Sequence, residues 1–220
     1  YQRALIVAAG PFANFILAIF IFMSIYMFIG KDFTPPVINE IKKDSPAEIA
    51  GLKKNDMILE IDGTKVESIL DVSKLIMMST TEFIDFKVSR YDNDILLKIK
   101  PKIIQSEDNL GNKVNKRIVG ITLIPYKNKI NHVKLGPVKA LFHSVSEVYF
   151  VCSSSLKYLG SMIAGSGDSS QLGGPIRIAK ISGQVAEFGI IPFLSMMAYI
   201  SVSLGLINLF PIPLLDGGHL

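Results

Sequence analysis

The chain has 220 residues, 23 Lys+Arg against 19 Asp+Glu, and a formal net charge of +4. Its single cysteine, Cys152, excludes an intrachain disulfide scaffold. The small basic excess, with both signs interspersed, excludes a nucleic-acid-binding face.

Residues 4–30 contain no Asp, Glu, Lys or Arg. A run of about 18 or more apolar residues can cross a bilayer core, so this segment predicts a transmembrane helix over 1–31. Gly10, Pro11 and Asn14 interrupt its first turns. They read either as a helix-packing site with a satisfied amide or as the polar lining of a buried site. Arg3 precedes the run, while Lys31 and Asp32 cancel after it, so flanking charge leaves the orientation open.

The charges concentrate in residues 31–135, which hold 18 of the 23 Lys+Arg and 15 of the 19 Asp+Glu. This predicts a water-facing insertion between spans. Residues 32–101 read as a small α/β module. Val37–Ile41 is a short strand, and Ser45-Pro46-Ala47-Glu48 starts a helix that Gly51 ends. Met57–Ile61 runs into the hairpin signal Asp62-Gly63. Leu70–Ser79 is helical, and Phe83–Ser89 and Ile95–Ile99 are strands around Tyr91–Asp94. Residues 102–135 read as a β-rich linker ending in the alternating strand Ile118–Ile124.

Residues 136–170 predict an amphipathic membrane-surface helix and a Gly/Ser-rich loop, since Lys139, His143, Glu147 and Lys157 would be costly to carry across a bilayer. His143 and Glu147 stand four apart, a spacing more often a solvated helix face than a metal site. Residues 171–220 predict a turn at Gly173-Gly174-Pro175 and a second transmembrane helix, since 188–215 again hold no charge. That run closes on Asn208-Leu209-Phe210-Pro211-Ile212-Pro213-Leu214-Leu215-Asp216-Gly217-Gly218-His219. Two prolines in three residues break a helix, and irregular backbone at membrane depth is tolerated only against protein or a watered cavity. A carboxylate there reads as a candidate functional site, whereas Asp-Gly-Gly by itself reads more often as a turn after a helix.

With these residues in view, the sequence resembles the site-2 protease family of intramembrane zinc metalloproteases. That family's Asn-x-x-Pro-x-Pro-x-Leu-Asp-Gly pattern is matched at Asn208, Pro211, Pro213, Leu215, Asp216 and Gly217. Its Gly-Pro-x-x-Asn pattern is matched at Gly10, Pro11 and Asn14, and its Gly-Pro-Ile turn at Gly174, Pro175 and Ile176. Separately, "SPAEIAGLKKNDMILEIDGTKV" resembles the bacterial, circularly permuted PDZ domain, which bacterial members place between these spans.

The resemblance implies a multi-pass α-helical membrane protein with an inserted α/β PDZ domain, in the cell inner membrane with the PDZ side away from the cytoplasm. It implies Zn2+ as cofactor and Asp216 as one metal ligand. The other ligands are two histidines of a His-Glu-x-x-His helix whose Glu is the general base. No His-x-x-x-His occurs among His132, His143 and His219, so the zinc site is incomplete in this chain and no catalytic residue is expected in it. The chain starts at Tyr1, not Met, and stops just past the motif, which predicts a fragment with that helix upstream. Asn208, Pro211, Pro213 and Asn14 are implied to position an unwound substrate segment.

Expected partners are single-span membrane protein substrates, peptide ends at the PDZ domain and the lipid bilayer. No nucleic acid is expected. The PDZ groove is expected along an open edge at Val37, Ile38 and Ile41, facing Val72, Leu75 and Ile76. A membrane-tethered PDZ module without metal chemistry is the alternative. A transporter is disfavoured because no second, symmetry-related broken span exists.

Overall fold

The computed structural model describes residues 2–107, 113–165 and 175–209. It divides into two compact units, one built from residues 1–31, 134–159 and 173–220, the other from 32–133 and 160–172.

In the first unit the two apolar runs become α1 (Gln2–Phe28) and α6 (Ile190–Asn208). Among the described residues these two helices are long and apolar enough to cross a membrane, over Ala9–Phe28 and Ile190–Asn208. They pack antiparallel, and small side chains set how closely. The Ser201 hydroxyl donates to the Asn14 carbonyl at 2.9 Å. A methyl group added at Gly205 would lie 3.0 Å from the Pro11 carbonyl oxygen and 3.0 Å from the Phe15 ring. Pro11 is fully buried inside α1 and offers no N–H to the preceding turn.

Residues 137–163 form one unbroken helix, α4 (Pro137–Ile163), with Ala140, Ser144, Val148, Val151 and Ser154 buried. The sequence reading missed α5 (Pro175–Glu187), which Pro175 opens, while Gly173 and Gly174 of the expected turn lie outside the described residues. Gly189, at φ 111°, separates α5 from α6.

The second unit opens at β1 (Lys31–Asp32) and closes at β10 (His132–Val133). Its main sheet is antiparallel, in the order β6-β5-β3-β2-β9, with β4 (Thr64–Lys65) paired to β3. The strands are β2 (Pro36–Ile41), β3 (Met57–Ile61), β5 (Ile84–Arg90), β6 (Asn93–Ile99) and β9 (Ile121–Pro125). Period-two alternation in β5 puts Ile84, Phe86 and Val88 at 0% exposure, beside Ile58, Ile61 and Ile99. Fully burying each such side chain contributes about 1.5–3 kcal/mol.

Turn chemistry fixes the register. Asp62 and Gly63 both take positive φ between β3 and β4, and Tyr91 and Asp92 do so between β5 and β6, as two-residue hairpins require. Helix α2 (Pro46–Ile49) is capped by Ser45, whose oxygen accepts from Glu48 N–H. Helix α3 (Ile69–Met78) carries a capping box between Ser68 and Asp71.

β7 (Lys102–Glu107) and β8 (Lys113–Ile118) pair as a separate ribbon, and β9 completes the main sheet against β2. The alternation expected through Ile118–Ile124 is cut at Gly120, whose φ of 85° ends β8 and turns the chain into β9.

Candidate functional site

The end of α6 carries the first residue of the closing motif. Asn208 is the last residue of the helix and half-buried. Asn14 is also half-buried, and its carbonyl accepts the Ser201 hydroxyl. Ser201 and Asn208 stand seven residues apart, about 10 Å along a helix, so the structure does not bring Asn14 and Asn208 together. Pro211, Pro213, Asp216 and His219 lie outside the described residues, as does Gly174.

The described residues do not by themselves fit a zinc ion. None of them gather as three His, Cys, Asp or Glu ligands, and one carboxylate is a third of a zinc protease's protein ligand set. His143 and Glu147 serve different contacts. Lys31 Nζ lies 3.3 Å from His143 Nδ1, and Glu147 Oε1 accepts from the Tyr199 hydroxyl at 2.9 Å.

The α/β unit holds a groove, and it is not where the sequence put it. Val37, Ile38 and Ile41 were expected on an open edge, but β2 is hydrogen-bonded to β3 on one side and β9 on the other. Val37 and Ile38 are core residues, and the outer strand on this side of the sheet is β9. The pairing of β2 with a strand some 80 positions later sealed the expected edge.

The groove, about 350 Å³, lies between α3 and β9. Val72 and Ile76 line it, whereas Leu75 is 9% exposed and does not. Lys116, Arg117, Gly120, Ile121 and Leu123 also line it, and sequence reasoning missed them. For Gly120, Ile121 and Leu123 the signal was the alternation through Ile118–Ile124 with a glycine inside it.

The closed end of the groove is built from backbone. Val119 O accepts from Ala47 N–H and Gly120 O from Lys42 N–H, each at 2.9 Å. Across a trans peptide the following N–H points the opposite way, so those of Gly120 and Ile121 turn toward the open edge. Only glycine fits here, since a methyl group on Gly120 would meet Ser45 Cβ at 2.5 Å. Arg117 donates from Nη1 to Ser79 O at 2.6 Å and from Nη2 to Thr81 O, binding β8 to the end of α3. Its buried Nε has no partner. Burial pulls its pKa below the ordinary guanidinium range, with Asp62 opposing.

Comparison with known proteins decides the family. The model of peptidase family M50 matches residues 1–220. The chain belongs to peptidase family M50. Its M50 relatives include an Agrobacterium fabrum protein named "Putative zinc metalloprotease Atu1380", 38% identical over 220 residues, which are all of this chain and 58% of that protein. Zinc metalloprotease RasP of Geobacillus kaustophilus is 31% identical over 221 residues, all of this chain and 49% of RasP. This M50 chain thus spans well under two thirds of the length of these relatives. Among solved structures, the PDZ domain of an SdrC-like protein from Listeria monocytogenes aligns with 42% of the chain and 90% of itself. The identity is 24% and the TM-score 0.33.

Proposed function

We propose that the protein is a site-2-type intramembrane zinc metalloprotease that cuts single-span membrane proteins within the bilayer. The observation that carries this is the position of Asn208. The second apolar helix of an M50 chain ends on the residue that opens Asn-x-x-Pro-x-Pro-x-Leu-Asp-Gly.

On this reading α1 and α6 cross the inner membrane, and the α/β unit faces away from the cytoplasm. Asp216 is one zinc ligand, and two histidines and a general-base glutamate come from sequence other than this chain. The metal would supply an activated water. A helical peptide bond is shielded by its own hydrogen bonds, so a substrate segment must unwind before it can be cut. Asn208 and the backbone freed by Pro211 and Pro213 offer that segment hydrogen-bond partners.

The test uses the full-length protein in membranes with a single-span reporter. Asp216→Asn should remove both zinc and cleavage, by about 100-fold or more, while Asn208→Ala should lower turnover about 10- to 100-fold with zinc retained. Normal cleavage by Asp216→Asn would overturn the reading, and zinc lost in step with activity in Asn208→Ala would overturn the positioning role.

The α/β unit serves, on the same reading, as a PDZ-type reader of peptide ends. A peptide adding to β9 would place its carboxylate against the Gly120 and Ile121 N–H groups, near Lys116, with apolar side chains toward Val72 and Ile76. Free-acid peptides should bind and their C-terminal amides should not. Equal binding by fluorescence polarisation would overturn the reading of peptide ends, and binding of neither form would favour a spacer role.

A further inference from the structure

Helix α4 touches the α1–α6 pair with a patch near its middle. Val148 and Val151 pack there with Ala18 and Phe22 of α1 and Ala198 and Val202 of α6, and Phe150 and Cys152 are partly buried against the cluster. The four partner residues lie near the midpoints of the apolar stretches Ala9–Phe28 and Ile190–Asn208. Along α4 the buried positions are Ala140, Ser144, Val148, Val151 and Ser154, small or short side chains three or four apart. Lipid tails already solvate apolar surface, so helices associate in a bilayer through such close-packing stripes. By shape, the Val148–Val151 patch of α4 is a partner for a membrane-spanning pair.

By charge it is not, since Lys139, His143, Glu147 and Lys157 lie along it. Glu147 is met by the Tyr199 hydroxyl at 2.9 Å, from near the middle of α6. The Tyr199 ring in turn packs edge-on against Phe22 at 5.2 Å, so one side chain joins all three helices. At its start α4 is tied to α1, where Leu135 N–H donates to the Tyr26 carbonyl at 3.0 Å. Gly136 follows, with open space around it. The helix therefore has a tethered end, an apolar patch and a polar contact to α6 beside that patch.

We propose that α4 occupies in cis the seat on the α1–α6 pair that a substrate's transmembrane helix takes, with Glu147 and Tyr199 as the latch. The occupant that replaces it is an uncharged membrane-spanning helix with Ala, Ser or Gly three or four residues apart. Such a helix matches Ala18 and Ala198 as α4 does, without carrying charge into the bilayer. Val202 stands six residues, about 9 Å, before Asn208, so a helix seated there lies beside the start of the motif. This inference rests on the proteolytic reading, because it names where that reading's substrate docks.

Cys152 reports the latch. The full-length protein, with Cys152 as its sole cysteine, is placed in phosphatidylcholine vesicles, and the rate of N-ethylmaleimide addition to the thiol is followed by mass. Tyr199→Phe and Glu147→Leu should each raise that rate at least about threefold, the size of one interhelical hydrogen bond in a membrane protein. The double variant should fall short of the product of the two single effects, because the Tyr199–Glu147 bond is counted in both. A synthetic transmembrane peptide of leucines with alanine at every fourth position should speed labelling of the wild type saturably, whereas an all-leucine peptide of equal length should not. Unchanged rates in both variants, additive effects, or equal responses to the two peptides would each overturn the latch.

Tyr199→Phe keeps the ring on Phe22, which separates loss of the latch from loss of folding. Labelling needs no catalysis. Reporter cleavage with a silent Cys152 overturns this inference alone, and a responsive Cys152 without cleavage overturns the proteolytic reading.

Discussion

The two units bury different kinds of residue. In the α/β unit the largest fully buried side chains are branched or aromatic, with Phe86, Ile38, Ile58, Ile61, Ile84 and Ile99 all below 2% exposure. In the helical unit Ala18, Ala140, Ser144, Ala198 and Val202 reach 0%, while Phe12, Ile16, Phe20, Phe142 and Tyr149 are more than half exposed. Removal from water drives the first arrangement. The second is what remains useful when the surroundings are themselves apolar, because backbone approach then matters more than apolar area. The same sequence thus keeps two packing rules, and substitutions can tell them apart.

The largest effect is expected at the charged pair of the α/β unit. Asp56 is 0% exposed, and Arg90 donates to it from Nε and Nη2 at 2.7 Å each, with a further Nη2 bond to Gly51 O. The hydrogen bond to Asp56 holds the Arg90 pKa above its ordinary value. Arg90→Ala leaves a buried carboxylate without its cation, at a cost of about 3–5 kcal/mol. Amide hydrogen exchange should show β3 and β5 losing protection while α1 and α6 keep theirs. Equal loss in all four elements would mean that the units do not unfold separately.

A smaller effect is expected at Gly205, where the helical unit obeys the opposite rule. Ala has the higher helix propensity, yet its methyl group would press on the Pro11 carbonyl and the Phe15 ring. Overpacking of this kind costs about 1–3 kcal/mol. Gly205→Ala should lower the thermal unfolding midpoint in detergent. A raised midpoint would show that the α1–α6 contact is loose and that propensity wins.

Much of this was legible in sequence because it is local. Uncharged runs marked α1 and α6, Asp62-Gly63 marked a hairpin, and Ser45-Pro46 marked the start of α2. The open edge of the sheet was not legible, because which strand lies outermost depends on β2 meeting β9 across 80 residues, and alternation says nothing about partners. A strand was expected through Ile118–Ile124, but the charge-rich surroundings made it look like a linker. For the same reason Val37, Ile38 and Ile41 were expected at the groove, though β9 covers them. At the functional end, Asn208 could be read because a motif is linear. The Tyr199–Glu147 contact could not, since it joins positions 52 residues apart. Helix α5 was hidden by Gly173-Gly174-Pro175, where a turn signal and a helix-opening proline share one residue.

The smallest effect sharpens the contrast between close-packed and open glycines in the helical unit. Gly183 sits inside α5 at ordinary φ, and a methyl group there would meet nothing within 4 Å. Glycine in a helix interior costs about 1 kcal/mol against alanine, largely through backbone entropy lost on folding. Gly183→Ala should therefore stabilise α5 by about that amount, seen as slower amide exchange across residues 177–187. With Gly205→Ala destabilising and Gly183→Ala stabilising, the same substitution changes sign with helix approach alone. If both variants moved in the same direction, propensity would govern the helical unit, and close packing of α1 on α6 would not be what sets its stability.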